Sequence, residues 1–366
     1  MMGEGVYEGF NFGYGEVYDA ANAGKQAYGT HPFVMFQGKD PSQFFGMYFH
    51  NSNAQVAMIT HDADNTATFT YVTTGGIIEA YFFTHGSPQF ILQQYHELIG
   101  KPHLPPFWTM GFQQGSWTYD TQAKLQAVVD GYKTAGIPLE AIWVDIPYMN
   151  KFADFSVDTT NFPNLKKFAD DLHAANQKVI PILDAGLSAD NLDDVYYKSA
   201  QTKKALIQST VNPDKFQGAL TAKVWPTATV FLDFFKSDAK VIWKQGLTDL
   251  FTKFEFDGLW LDMNEPTLFC DGECPTWPIV PGPTPGVPGP TCVIPAEAGQ
   301  QWYCSWQDQS KESTYFLPFV PGASNAANFK WVSLDKSSLS LNATHTDDVN
   351  KATYTEYNVH NLFGLM

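Results

Sequence analysis

After a break marked by Leu104-Pro105-Pro106-Phe107, the chain alternates apolar, strand-like runs with amphipathic, helix-like ones, and this alternation constrains its fold more than any other feature. FWTMGFQ is the first strand candidate. DTQAKLQAVVDGYKTAG follows as a helix, with Leu125, Val128, Val129 and Tyr132 on one face and Gly136 closing it. AIWVDI is a nearly all-apolar strand, and PNLKKFADDLHAANQ is the next helix, with Leu165, Phe168 and Leu172 on one side. KVIPILD is the third strand. A less regular region containing KVWPTATVFLDFF leads to a helix near 239–254 and then to the strand GLWLDMNE. Apolar strands alternating with amphipathic helices predict a parallel sheet buried on both faces. Four such units are present, whereas a closed barrel needs eight.

The preceding segment follows a different pattern. HPFVMFQ, FFGMYFHNS, AQVAMITH, TATFTYVTT and IIEAYFFTH are short, rich in aromatic and β-branched residues, and separated by Gly, Asn, Asp and Ser. They predict an antiparallel sheet or sandwich. PQFILQQYHELIG then predicts a helix that ends on Gly100. The organisation expected is therefore residues 1–100 as a partial β-sandwich with a linker helix, and 101–366 as an α/β domain.

Three of the predicted parallel strands end in a carboxylate: Asp145 after AIWV, Asp184 after VIPIL and Asp262 after GLWL. The C-terminal strand ends are the functional face of such sheets. An acid emerging there from an apolar strand is poorly solvated and needs a partner or a task. The plain alternative is that each one caps the following loop, an explanation that weakens when three occupy equivalent positions. GLWLDMNEP also sets Trp260 beside Asp262, with Asn264 and Glu265 just beyond. An aromatic wall with clustered acids suits a sugar, whose ring face stacks on indole while its hydroxyls bond to carboxylates and amides. Trp108, Trp117, Trp143 and Trp225 stand near other strand ends; taken singly, each reads first as packing.

Charge excludes one class of partner. With 38 acidic against 22 basic residues in 366, the net charge is −16, which repels a phosphate backbone, so no nucleic-acid partner is expected. No apolar run is long enough for a membrane span, and MMGEGVYEGFNFGYGE lacks the basic start and apolar core of a signal peptide. Cys270, Cys274, Cys292 and Cys304 cluster in a proline-rich stretch at about 268–310. Disulfides are the favoured reading over a zinc site, whose spacing these cysteines do not match. Asn342-Ala343-Thr344 is a glycosylation sequon. Both features point to a secreted, lysosomal or endomembrane lumenal setting.

GLWLDMNEP resembles the active-site signature of glycoside hydrolase family 31, the retaining α-glucosidases and their relatives. YGTHPF, the HNSNA turn, LQQYHELIGKPHLPPFWTMGFQQ, IWVDIPYM, VIPILDAGLS, KVWPTATVFLDFF and YNVHNLFGLM resemble family segments in the expected order. The resemblance covers roughly 19–366 and is nearest the acid α-glucosidase and maltase-glucoamylase group. It implies the first half of a (β/α)8 TIM-type barrel, preceded by part of an antiparallel, galactose-mutarotase-like β-sandwich. It implies Asp262 as catalytic nucleophile, with Glu265 supporting it. Asp145 would accept hydrogen bonds from the sugar, while Trp117, Ile182, Trp225, Trp260 and Met263 would shape the pocket. The partner implied is an α-linked glucose oligo- or polysaccharide, with no cofactor and no metal. Oligomeric state has no signature in the sequence.

Departures from the family pattern are equally specific. Pro147 stands where many relatives have a second Asp, and Ser116 where many have an Arg; Asp19 is a loose match to an acid that reaches over the site. The family's acid/base Asp belongs to a His-Trp-x-Gly-Asp segment that this sequence does not contain. The resemblance therefore suggests an internal piece of a larger glucosidase. The alternatives are a noncatalytic carbohydrate-binding remnant, or an α-xylosidase or α-glucan lyase on the same scaffold.

Overall fold

A computed structural model describes residues 5–9, 28–64, 66–191, 194–210, 213, 216–226, 228–270, 272–273 and 338–366. These residues form two compact units. One runs to Pro105 and includes Tyr357–Leu365; the other begins at Pro106 and continues through Glu356.

The first unit holds strands β1 (Gly5–Gly9), β2 (Phe33–Gln37), β3 (Phe44–Phe49), β4 (Gln55–His61), β5 (Ala67–Thr73) and β6 (Ala80–His85), then helix α1 (Pro88–Ile99). They make two antiparallel three-stranded sheets, β1-β4-β5 and β2-β3-β6. Aromatic side chains join the sheets: Phe49 of β3 stacks on Tyr71 of β5 at 3.8 Å, and Phe36 of β2 meets Phe69 of β5 edge-on at 5.4 Å. Alternating aromatic residues thus build a sandwich, as their period of two predicts. Helix α1 packs on the second sheet through Ile91 and Tyr95, whose ring stacks on Phe33 at 4.2 Å. Gly46 permits this approach, because a Cβ there would lie 2.7 Å from Ile91. In the HNSNA turn, Asn53 donates its side-chain amide to Asn358 of the YNVHN segment at 2.9 Å.

The second unit contains β7 (Gln113–Gly115), α2 (Gln122–Ala135), β8 (Ala141–Val144), α3 (Leu165–Ala174), β9 (Lys178–Asp184), β10 (Gly186–Ser188), α4 (Val195–Thr202), β11 (Thr221–Ala222), β12 (Thr229–Phe231), α5 (Ser237–Lys253), β13 (Trp260–Asp262) and the hairpin β14 (Thr344–Asp347) and β15 (Ala352–Thr355). Strands β7, β8, β9 and β13 form one parallel sheet in sequence order, with α2 and α3 as crossovers, the arrangement of consecutive barrel strands. Thr121 caps α2 by accepting the Lys124 N–H, and Gly136 ends it in the left-handed region. Leu165, Phe168 and Leu172 of α3 are buried with Leu125 of α2 in the main core.

The FWTMGFQ run departs from the strand predicted over its whole length. Phe107–Met110 is a 3-10 turn, and pairing begins only at Gln113. The prolines at 105 and 106 leave Phe107 exposed, so its apolar character did not report a strand. Between β9 and β13 the chain inserts a small antiparallel sheet, β10-β12-β11, which is the irregular region of the sequence.

The β14–β15 hairpin is fixed to Asp233, two residues past β12, by a buried charge cluster. His345 Nδ1 lies 3.2 Å from Asp233, and its Nε2 lies 2.6 Å from Glu356. All three are at most 2% exposed. The Thr346 N–H donates to the second Asp233 oxygen at 2.7 Å. Of the four cysteines only Cys270 falls within the described residues, where it is buried. The expected cross-links and most of the proline-rich insertion lie outside them.

Candidate active site

Strand parity places the site. In Trp143-x-Asp145, Ile182-x-Asp184 and Trp260-x-Asp262, an aromatic or branched residue stands two positions before an acid, so each pair shares one sheet face. The registers align them: Trp143 is opposite Ile180, Trp260 opposite Ile182, and Asp262 opposite Asp184. Trp143 and Trp260 touch with ring centroids 5.4 Å apart, and the Trp143 indole N–H donates to Gln113 at 2.7 Å. Gly115 of β7 leaves room for Trp143, since a Cβ there would come within 2.7 Å of the Trp143 Cβ. Side chains of β8, β9 and β13 therefore share one face leading to the C-terminal strand ends, with Gln113 of β7 holding Trp143.

The acids at those ends feel one another. Burial raises the Asp145 carboxyl above the usual carboxylate range; the Ile146 N–H, bonded to it at 2.7 Å, opposes the rise, and the nearby Asp262 charge adds to it. Burial likewise raises Asp262, against a hydrogen bond from the Met263 N–H. Met263 itself has φ of +55°, a strained conformation in the turn that aims Asp262 and Glu265. Thr267 donates its hydroxyl to Glu265. Asp184 is 3% exposed and held well above its ordinary range, first by burial and then by Asp262, Asp145 and Glu265.

The structure therefore assembles Asp145, Asp184, Asp262 and Glu265 with Ile182, Trp260 and Trp143. It places Trp117 and Trp225 differently. Trp117 is 63% exposed and lines a cleft of about 510 Å³ with Thr118, Asp120, Pro147, Met149 and Phe152; none of the four clustered acids is part of that lining. Trp225 contacts Phe152 at 6.0 Å and Phe269 at 5.1 Å, so it belongs to an aromatic cluster with the loop after β13.

Asp154 escaped the sequence reading. It is 5% exposed, and its carboxylate accepts the Asp184 N–H at 3.2 Å. Burial, then the Asp184 charge, raises it well above the ordinary range. The one local signal was an acid flanked by aromatics in FADF, near residues of positive φ at Lys151, Phe152 and Phe155. Among the described residues no group of three or more His, Cys, Asp or Glu side chains is arranged to hold a metal ion. Carboxylates against indole faces can bind a sugar ring and attack or stabilise its anomeric carbon.

Residues 102–366 match the model for the glycosyl hydrolases family 31 TIM-barrel domain. The chain is 31% identical to "Glucoamylase 1" of Candida albicans over 374 aligned residues, spanning 93% of this chain and 38% of that protein. It is 28% identical to the "Lysosomal alpha-glucosidase" of Bos taurus, over 92% of this chain and 30% of that one. The chain thus spans well under half the length of these relatives. Its fold superposes on the glucosidase II alpha subunit in its Glc1Man2-bound form with a TM-score of 0.70 at 18% identity, covering 98% of this chain and 32% of that one. On the glucose complex of a Flavobacterium johnsoniae GH31 dextranase the TM-score is 0.66 at 18% identity, with 98% and 34% covered.

Proposed function

As this chain belongs to glycosyl hydrolase family 31, we propose that it carries the nucleophile half of a retaining α-glucosidase site that acts on terminal α-linked glucose of oligo- or polysaccharides. The observation that carries the reading is the placement of Asp262: at a C-terminal strand end, half-buried, aligned with Asp184 and two residues beyond the Trp260 wall.

In such a reaction the Asp262 carboxylate attacks the anomeric carbon as the aglycone leaves, and water later releases the sugar with its configuration kept. The nucleophile must be ionised. The Met263 N–H supports the charged form against the burial that disfavours it. Asp145 accepts hydroxyl hydrogen bonds from the sugar, Glu265 supports the loop, and Trp260, Ile182 and Met263 form the apolar wall. Trp117, in the separate cleft with Phe152, and Trp225, packed on Phe152, would meet the substrate beyond that wall. In the family the protonating acid is an Asp in a His-Trp-x-Gly-Asp segment, which residues 1–366 do not contain. The kinship with a lysosomal enzyme, together with the sequon, favours a lumenal or secreted setting.

A fluorinated α-glucosyl fluoride, which slows release of the covalent intermediate, provides the test. Incubation followed by peptide mass mapping is expected to find one glycosyl unit esterified to Asp262. A label on another residue would remove Asp262 from the role. Saturable calorimetric binding of maltose without any label would instead favour a carbohydrate-binding module.

A further inference from the structure

The catalytic reading uses Asp145, Asp262 and Glu265 and leaves two buried acids without a task. Asp184 and Asp154 are 3% and 5% exposed. Among the described residues, both carboxylate oxygens of Asp184 and Oδ2 of Asp154 have no hydrogen-bond partner, although all three atoms are shielded from solvent. The one bond that links the residues runs from the Asp184 N–H to Asp154 Oδ1 at 3.2 Å. Other groups nearby do not neutralise them. The Tyr148 hydroxyl donates to the Ile182 carbonyl at 3.0 Å, and Lys253 donates to the Phe155 carbonyl; among the described residues no cation pairs with either acid. Asp145, Asp262 and Glu265, the remaining charged groups facing Asp184, are themselves acids.

Two adjoining carboxylates, buried and lacking a cation, are not both ionised: the cost of desolvating each charge adds to their mutual repulsion. We infer that the Asp154–Asp184 pair holds a proton at neutral pH, and that Asp184 is a positioning residue that presents an uncharged carboxyl beside Asp262. The inference rests on Asp262 being the nucleophile. Its consequence is electrostatic. Asp262 stands opposite Asp184 in the β9–β13 ladder. An ionised Asp184 would add a further negative charge there and hold the nucleophile in its inactive acid form. With the proton kept on the pair, the charge at the strand ends falls on the acids that meet the sugar. The strained backbone at Lys151, Phe152 and Phe155 brackets Asp154 and fits a loop held to deliver that residue.

The proton can be read directly. Infrared spectra of the unmodified chain at neutral pH are expected to show the carbonyl stretch of a protonated carboxyl. The band should be lost in the Asp154→Asn/Asp184→Asn double variant. Its absence from the unmodified chain, or its persistence in the double variant, overturns the inference. The second measurement is the pH dependence of esterification at Asp262 by the fluorinated α-glucosyl fluoride, whose fluoride departs without the protonating acid. Asp184→Asn, neutral like the acid it replaces, is expected to keep the midpoint of the unmodified chain. If Asp184 carries a charge, removing it will move the midpoint at least ten-fold in proton concentration toward acid, and the inference fails. Failure of the fluoride to label Asp262 at any pH strikes the catalytic reading instead, while the infrared band still decides where the proton sits.

Discussion

Trp143 and Trp260 meet across β9, the strand between their own, with ring centroids 5.4 Å apart and planes inclined at 59°. Strands two places apart lie about 9.5 Å from one another, so the rings close that gap by leaning together over Ile180 and Ile182. The pair makes one continuous indole surface behind Asp145 and Asp262. Replacing Trp260 with Ala removes half of that surface and leaves the acids in place. Stacking of this kind contributes about 1 kcal/mol, so affinity for a glucose-configured iminosugar is expected to fall roughly five- to ten-fold. Calorimetry reads this, and unchanged affinity would show that the sugar does not meet Trp260.

Asp184→Asn is expected to stabilise the protein at neutral pH. Burial holds the folded-state carboxyl far above its unfolded range. The folded chain therefore binds more protons than the unfolded chain, and stability falls as pH rises above about 4, by up to about 1.4 kcal/mol per pH unit for one proton. Asparagine takes up no proton, so its advantage should grow from nothing near pH 4 and should still be growing at neutral pH. Melting temperatures of the two proteins across this range provide the check. A variant less stable at every pH would show that burial of the acid carries no such penalty.

The buried imidazolium follows the same sign of linkage in a higher pH window, and there the protonated form is the charged one. His345 is raised from 6.5 to about 9, against its own desolvation, by hydrogen bonds and charges from Asp233 and Glu356. Its contribution is complete below about pH 6.5 and is lost as pH rises through 9. The shift corresponds to about 3 kcal/mol. Urea midpoints should therefore fall between about pH 6 and pH 10. His345→Ala leaves two buried acids without their cation and should cost about 3–5 kcal/mol at pH 6. A variant with the same pH slope as the unmodified chain would sink the assignment.

The parts of this structure legible in the sequence are those set by local periodicity. The α2 and α3 faces, the sandwich strands and the Trp-x-Asp pattern of β13 depend on side chains two to four residues apart, which a linear reading can compare. The grouping of Trp260, Asp262 and Glu265 was legible for the same reason, since the three lie within one short segment. Asp154 was not, because its partner Asp184 is 30 residues away and is reached through a loop of positive φ. Nor was the Asp233–His345 contact, which spans 112 residues. FWTMGFQ misled because apolarity alone cannot tell a buried strand from an exposed turn.

Gly246 provides a last prediction, in which two effects oppose each other. It lies inside α5, where Ala is ordinarily favoured over Gly by about 1 kcal/mol. A Cβ there would stand 2.5 Å from the Phe155 ring. That ring cannot withdraw: Phe155 is fully buried, with Tyr196 edge-on at 4.9 Å and Trp243 at 5.2 Å. Overpacking of this kind costs about 1–3 kcal/mol, so the clash wins and Gly246→Ala should lower the melting temperature. Phe155 also adjoins Asp154, so the displaced ring should disturb the acid pair and weaken iminosugar binding at the site. Adding Phe155→Leu frees the space and should recover most of the lost stability. If the single variant melts higher than the parent, helix propensity has decided the balance, and the Phe155 contact is looser than 2.5 Å implies.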